Sequence, residues 1–148
     1  MFLKSKIDVL GHRVMHNRIQ VTPAYAEEMQ DWPEPSSKKE LQRFIGFVGF
    51  YAKFIPQHSE IAAPLTALTG SAKFIFSDTE RKAFETLKRM VTSRPVLVGY
   101  RINLPVQLIT DASGTGWGAV LEQEGHPIEF ASGKWSEAEQ RYSTTKRE

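Results

Sequence analysis

The hydrophobic period of this chain changes twice, and that constrains its fold more than any single motif. Residues 7–21 and 106–130 alternate apolar with polar side chains, the period of a strand. The residues between them recur at three and four, the period of a helix. Ile7, Val9 and Val14 alternate, Asn17 reads as a turn, and Ile19 and Val21 alternate again, which predicts two short strands over 7–21. Thr22-Pro23 is a helix entry with Thr as N-cap and Pro at the first helical position. That helix runs through Glu27, Glu28 and Met29 and stops at Trp32, because Pro33 and Pro35 disfavour helix before them.

Ser37-x-x-Glu40 is a capping box, with Ser36 or Ser37 as cap, and it opens a longer helix over 37–54. Leu41, Phe44, Ile45, Val48 and Tyr51 share one face of it, and Pro56 ends it. A third helix is expected over 59–68, with Pro64 as an interior breaker and Gly70 closing it. Phe74 and Phe76 alternate as a short strand, and Asp78 caps a fourth helix striped by Ala83, Phe84, Leu87 and Val91. Beyond Pro95, residues 106–110, 117–121 and 127–130 read as three strands. Their short joins, Gly114-Thr115-Gly116 and Glu124-Gly125-His126, point to an antiparallel meander. Ser136-x-x-Glu139 is a further capping box. Ser143-Thr144-Thr145 looks like one more helix start about one turn before Glu148, so the sequence looks cut.

An apolar content of 41% over 148 residues supports a packed core. The net charge of +2 excludes a chain-wide basic field, and the absence of cysteine excludes disulfides, thiolate nucleophiles and cysteine-containing zinc sites. No apolar run approaches the ~20 residues that span a bilayer. Residues 1–6 lack the apolar stretch of a secretory signal, so an intracellular protein is expected.

Asp111 ends an apolar strand beside glycines, where a carboxylate can hold a hard cation or simply make an Asx turn. Gly114, Gly116 and Gly118 run into a strand and read as hairpin geometry, not as a dinucleotide loop. The 37–54 helix is the most basic, with Lys38, Lys39, Arg43 and Lys53 against Glu40 alone. Gln42, Gly46 and Phe50 line one of its faces. A glycine there costs roughly 1 kcal/mol relative to alanine. Either a nucleic-acid backbone approaches that face, or another helix packs closely at Gly46 and Gly49. His12, His16, His58 and His126 show no zinc spacing and read as surface or turn residues. Trp32, Trp117 and Trp135 are expected in cores, and no serine-hydrolase elbow occurs.

Taken in order, Val9-Leu10-Gly11-His12, Trp32-Pro33-x-Pro35, Leu41-Gln42-x-Phe44-Ile45-Gly46, Tyr51-x-x-Phe54-Ile55-Pro56 and Ile61-Ala62-Ala63-Pro64-Leu65-Thr66 spell a family. Ala83-Phe84-x-x-Leu87-Lys88, Thr110-Asp111-Ala112-Ser113, Gly116-x-Gly118-Ala119-Val120-Leu121 and Tyr142-Ser143-Thr144-Thr145 continue the series. Over essentially its whole length the chain resembles the Pol polyprotein of gypsy-type LTR retrotransposons. The resemblance implies an α+β fold with a palm-edge hairpin over 1–22, a helical thumb over 23–70, a connecting segment with its helix over 71–103, and the start of an RNase H-like sheet over 104–148. It makes Leu10, Gly11 and His12 a primer grip, and Gln42, Gly46 and Phe50 a minor-groove track. Lys38, Lys39, Arg43 and Lys53 become contacts to the nucleic acid.

The resemblance also makes Asp111 and Glu148 the first two of four carboxylates that hold two Mg²⁺ ions about 4 Å apart in the parent enzyme. The parent is an RNA-directed DNA polymerase with RNase H, working in a cytoplasmic virus-like particle on RNA–DNA hybrid or DNA duplex, alongside the remainder of Pol. The polymerase Asp-Asp motif is missing from these residues, and two carboxylates do not replace four. The chain alone is therefore expected to be inactive and not to bind Mg²⁺ stably. The alternative is a domesticated interaction or structural module on the same fold.

Overall fold

The computed structural model describes residues 5–141. The first sheet is antiparallel, in the order β1 (Lys6–Val9), β2 (His12–Met15), β3 (Arg18–Val21) and β4 (Val96–Val98). Residues 7–21 thus form three strands, not the expected two. The chain reverses at Leu10-Gly11, where both residues have positive φ, +48° and +79°, the geometry of a two-residue type I′ hairpin. Leu-Gly lacks the Asn-Gly or Asp-Gly signature of that turn, so the sequence hides it. β4, from the segment after Pro95, closes the sheet by pairing Leu97 with Ile19.

Between β3 and β4 lie the helices. Pro23 is the first residue of α1 (Pro23–Gln30), but the Thr22 hydroxyl makes no cap bond. Thr22 is buried, and its backbone N–H donates to Gly11 O at 3.1 Å. In α2 (Lys38–Phe50) the Ser37 hydroxyl accepts from the Glu40 N–H, and the Glu40 carboxylate accepts from the Ser36 N–H at 2.8 Å. The helix stops four residues short of the expected 54, with a 3₁₀ turn at Ala52–Phe54. The expected third helix is two short ones, α3 (His58–Ile61) and α4 (Ala63–Ala67), because Pro64 is tolerated only in a first turn. Phe74 and Phe76 form no strand. Their alternation reflects packing: the rings stack with centroids 6.2 Å apart, and Phe76 meets Phe84 at 6.1 Å. Ser77, not Asp78, caps α5 (Asp78–Thr92), with the Glu80 carboxylate accepting the Ser77 N–H at 2.9 Å.

One core joins these parts. Val21 and Leu97 from the sheet, Leu41, Phe44, Val48 and Tyr51 from α2, and Phe84, Leu87 and Val91 from α5 form a single buried cluster. The helices between β3 and β4 therefore pack as one unit with the hairpin sheet.

The second sheet is the expected antiparallel meander of β5 (Gln107–Ala112), β6 (Gly116–Gln123) and β7 (His126–Lys134), followed by α6 (Glu137–Gln140). It docks through β7. The Ser59 N–H and hydroxyl donate to Ser132 Oγ and Ser132 O at 2.9 and 3.0 Å, and Phe130 reaches the shared core.

Candidate nucleic-acid interface

The Leu10-Gly11 turn and the C-terminal end of α2 build one surface. Gly11 is buried, and a Cβ there would lie 2.4 Å from Tyr51 Oη and 3.2 Å from the Tyr25 ring. Glycine is therefore required both for its positive φ and for space. Leu10 is thereby thrust outward. It is 81% exposed with φ +48°, a conformation that costs a bulky residue about 1 kcal/mol or more. Among the described residues, little packs against this strained, exposed leucine at the hairpin tip.

His12, expected at the surface, is half-buried in an aromatic cage. Its ring lies 5.0 Å from Phe50, 5.6 Å from Tyr51 and 5.6 Å, stacked, from Phe54. Nδ1 donates to Leu10 O at 3.1 Å, which leaves Nε2 enclosed and without a partner among the described residues. Burial, and after it the Lys53 charge, hold the imidazole below its ordinary 6.5 despite the opposing Leu10 bond, so it is neutral at pH 7. Burial likewise raises the Tyr51 phenol above its usual range. The sequence offered Tyr51 and Phe54 as core or motif residues, gave Tyr25 no signal and assigned none of them a part in this surface, yet they hold the turn.

Along α2, Gln42, Gly46 and Phe50 are exposed opposite the buried Leu41, Phe44 and Val48, and Phe50 is 53% exposed. Close helix packing at Gly46 and Gly49 is not what occurs: a Cβ at either position would meet nothing within 4 Å. The four cations differ. Lys39 is exposed, and Lys53 Nζ sits 5.5 Å from the Phe54 centroid beside the His12 cage. Lys38 Nζ donates to Gly70 O at 2.7 Å. Arg43 lies over Trp32 at 5.6 Å, in a recess of about 400 Å³ shared with Glu28, Asp31 and Glu40.

Asp111 is exposed on β5 opposite Gly118, and its carboxylate has no hydrogen-bond or ion-pair partner among the described residues. The Asx turn does not form. Ser113 makes the turn instead, its hydroxyl accepting from the Gly116 N–H at 3.1 Å. Gly116 is needed for close approach, since a Cβ would lie 2.5 Å from Gly133 O. Asp111 lines a cleft of about 310 Å³ with Gln57, Glu60, Thr115 and Lys134, of which Glu60 carried no signal in the sequence. Trp117, expected in a core, is 38% exposed at this cleft. Glu148 and the motif at 142–145 lie outside the described residues. Among the described residues no three His, Asp or Glu side chains gather as a metal site, and no helix is long and apolar enough to cross a membrane.

A strand hairpin locked to a helical core is followed by a half-exposed antiparallel meander. Residues 76–148 match the family described as the RNase H-like domain found in reverse transcriptase. The chain is 36% identical to the retrovirus-related Pol polyprotein of transposon 297 and 34% identical to that of transposon gypsy, both from Drosophila melanogaster. Each match covers 99% of this chain but only 14% and 16% of the relative. A Tf2-3 transposon polyprotein of Schizosaccharomyces pombe is 29% identical over 99% of the chain and 12% of its own length. Two foamy viral protease-reverse transcriptase structures, one with RNA/DNA hybrid and one with dsDNA, superpose with TM-scores of 0.86 and 0.85 at 21% identity. They cover 98% and 97% of this chain and 20% and 31% of theirs. The chain belongs with the Pol polyproteins of gypsy-type retrotransposons, and its second half is an RNase H-like domain of the reverse-transcriptase type. It spans less than a fifth of the curated relatives it matches.

Proposed function

We propose that this chain is the duplex-gripping part of a retrotransposon reverse transcriptase. Exposed Gln42, the open backbone at Gly46 and Gly49, Phe50 and the Leu10 turn lie against an RNA–DNA or DNA duplex. The observation that carries this reading is the pair of helix glycines facing empty space. Each weakens the helix, no neighbour among the described residues uses the room, and a sugar-phosphate backbone does. The nucleic acids in the foamy viral structures support the same partner. Lys39 and Lys53 supply sequence-independent attraction.

In the whole polyprotein, Asp111 and Glu148 act as two of the four carboxylates of a two-magnesium ribonuclease site. The described residues alone do not fit that ion, since Asp111 brings one carboxylate and no cluster of three forms around it. By itself the chain therefore neither polymerises nor cleaves. Its partners are duplex and the remainder of Pol, inside an intracellular virus-like particle.

Fluorescence anisotropy with a labelled RNA–DNA hybrid and a DNA duplex tests the grip. Binding should weaken steeply with salt, show no sequence preference, and drop in Lys39→Glu and Lys53→Glu. No binding even at low salt would sink the reading and favour a domesticated interaction module. Magnesium-dependent hybrid cleavage by this chain that vanishes in Asp111→Asn would overturn its proposed inactivity.

A further inference from the structure

The far ends of two hairpins meet away from the duplex face. The β2–β3 turn and the β6–β7 turn flank the end of β4, and an open cleft of about 620 Å³ lies between them. Three segments distant in sequence converge there: His16 and Arg18, then Arg101, then Glu124 and His126. Two guanidiniums face one carboxylate, a formal surplus of one positive charge, with both imidazoles counted as neutral.

The cleft is built, not incidental. Gln123, only 2% exposed, accepts the Arg101 N–H through Oε1 at 2.8 Å. Its Nε2 donates to the carbonyls of Arg101 and Leu104 at 2.8 and 2.9 Å. A buried amide spent on one loop pins Arg101 to the β6–β7 hairpin. Across the cleft, the Gly99 N–H donates to Asn17 O at 2.9 Å, and a Cβ on Gly99 would lie 2.8 Å from Asn17 Oδ1. Glycine thus lets the turn beside Arg18 come this close. Arg101 pairs with Glu124 through one terminal nitrogen, so most of its donors remain free. The Arg18 side chain has no hydrogen-bond or ion-pair partner among the described residues. His126 donates from Nδ1 to Glu124 O at 3.0 Å, which leaves its Nε2 as the other ring nitrogen for a ligand.

We propose that this cleft is a phosphate site, in which Arg18 and Arg101 clamp the oxygens of one phosphate group and Glu124 sets the position of Arg101. Forked guanidiniums held by backbone anchors match phosphate geometry better than mobile lysines do. The site shares no residue with the duplex face, and either can fail without the other.

Calorimetric titration of the full chain at constant ionic strength tests it, with inorganic pyrophosphate and a short oligothymidylate as probes. Saturable binding is expected. It should weaken about tenfold in Arg18→Gln and in Arg101→Gln and stay unchanged in Lys82→Gln, an exposed change on α5 outside the cleft. Glu124→Gln removes the counter-charge and should tighten it. Binding of pyrophosphate alone identifies a free phosphate compound as ligand. Competition between the probes identifies a strand's backbone. No saturable binding of either probe overturns the site, as does equal weakening by Lys82→Gln. Hybrid anisotropy on the same Arg18→Gln sample separates this outcome from loss of the duplex grip.

Discussion

Gly46 and Gly49 set stability against binding at single positions. Alanine at either site meets open space and removes the entropic cost of glycine, so Gly46→Ala and Gly49→Ala should each stabilise the chain by about 1 kcal/mol in urea unfolding. The same methyl groups should weaken duplex affinity. A rise in stability with unchanged binding would refute the open-face argument. Gly11 behaves oppositely. Its φ of +79° and the Tyr51 hydroxyl in the place of a Cβ make Gly11→Ala destabilising by more than about 2 kcal/mol. His12 and His58 both titrate below 6.5 when folded, each through burial first. The unfolded chain therefore takes up protons before the folded one as pH falls. The stability they contribute is full above about 6.5 and is lost on acidification through their lowered folded values. The urea midpoint should drop as pH falls below about 6.5, and a His12→Gln, His58→Gln double variant should flatten that drop.

At the scale of the element, α2 looks uniformly basic in sequence but is divided in space. Lys39 is exposed, and Lys53 is half-buried over the Phe54 ring beside the His12 cage. Arg43 is engaged by Trp32 amid Glu28, Asp31 and Glu40, and Lys38 is held by the Gly70 carbonyl. Lys39→Glu should lower the slope of log affinity against log salt by roughly one, whereas Arg43→Glu should change it less. Equal slopes for the two variants would contradict the division. The helix itself was legible, since Ser37-x-x-Glu40 and the Leu41, Phe44, Val48 stripe are local signals. Its end was not. Pro56 looked like the stop, but the chain already tightens to a 3₁₀ turn at Ala52–Phe54, where Tyr51 and Phe54 turn inward around His12.

Across the whole molecule, one core couples hairpin, helices and β4. Phe84 touches Phe44 at 4.5 Å between ring centroids, so Phe84→Ala should cost about 3–5 kcal/mol and loosen α2, with its proposed duplex face, along with the sheet. Calorimetry showing an independent transition for the hairpin sheet would contradict a shared core. The meander β5–β7 was readable because short joins between alternating runs leave an antiparallel chain little choice. The pairing of β4 with β3 was not, because 78 positions separate Leu97 from its register partner Ile19, and no local pattern encodes a contact made across five helices.

Periodicity, caps and prolines determined which stretches are helix and strand, because those preferences act within a few residues of backbone. The ordered motifs sufficed to place the chain in its family. Only the folded arrangement decided that the Leu10 turn stands over a histidine cage, that Gly46 and Gly49 face open space, and that Arg18 and Arg101 share a cleft. Each of these depends on side chains from distant segments meeting at a few ångströms. Their distance in sequence carries no trace of that until burial of the common core brings them together.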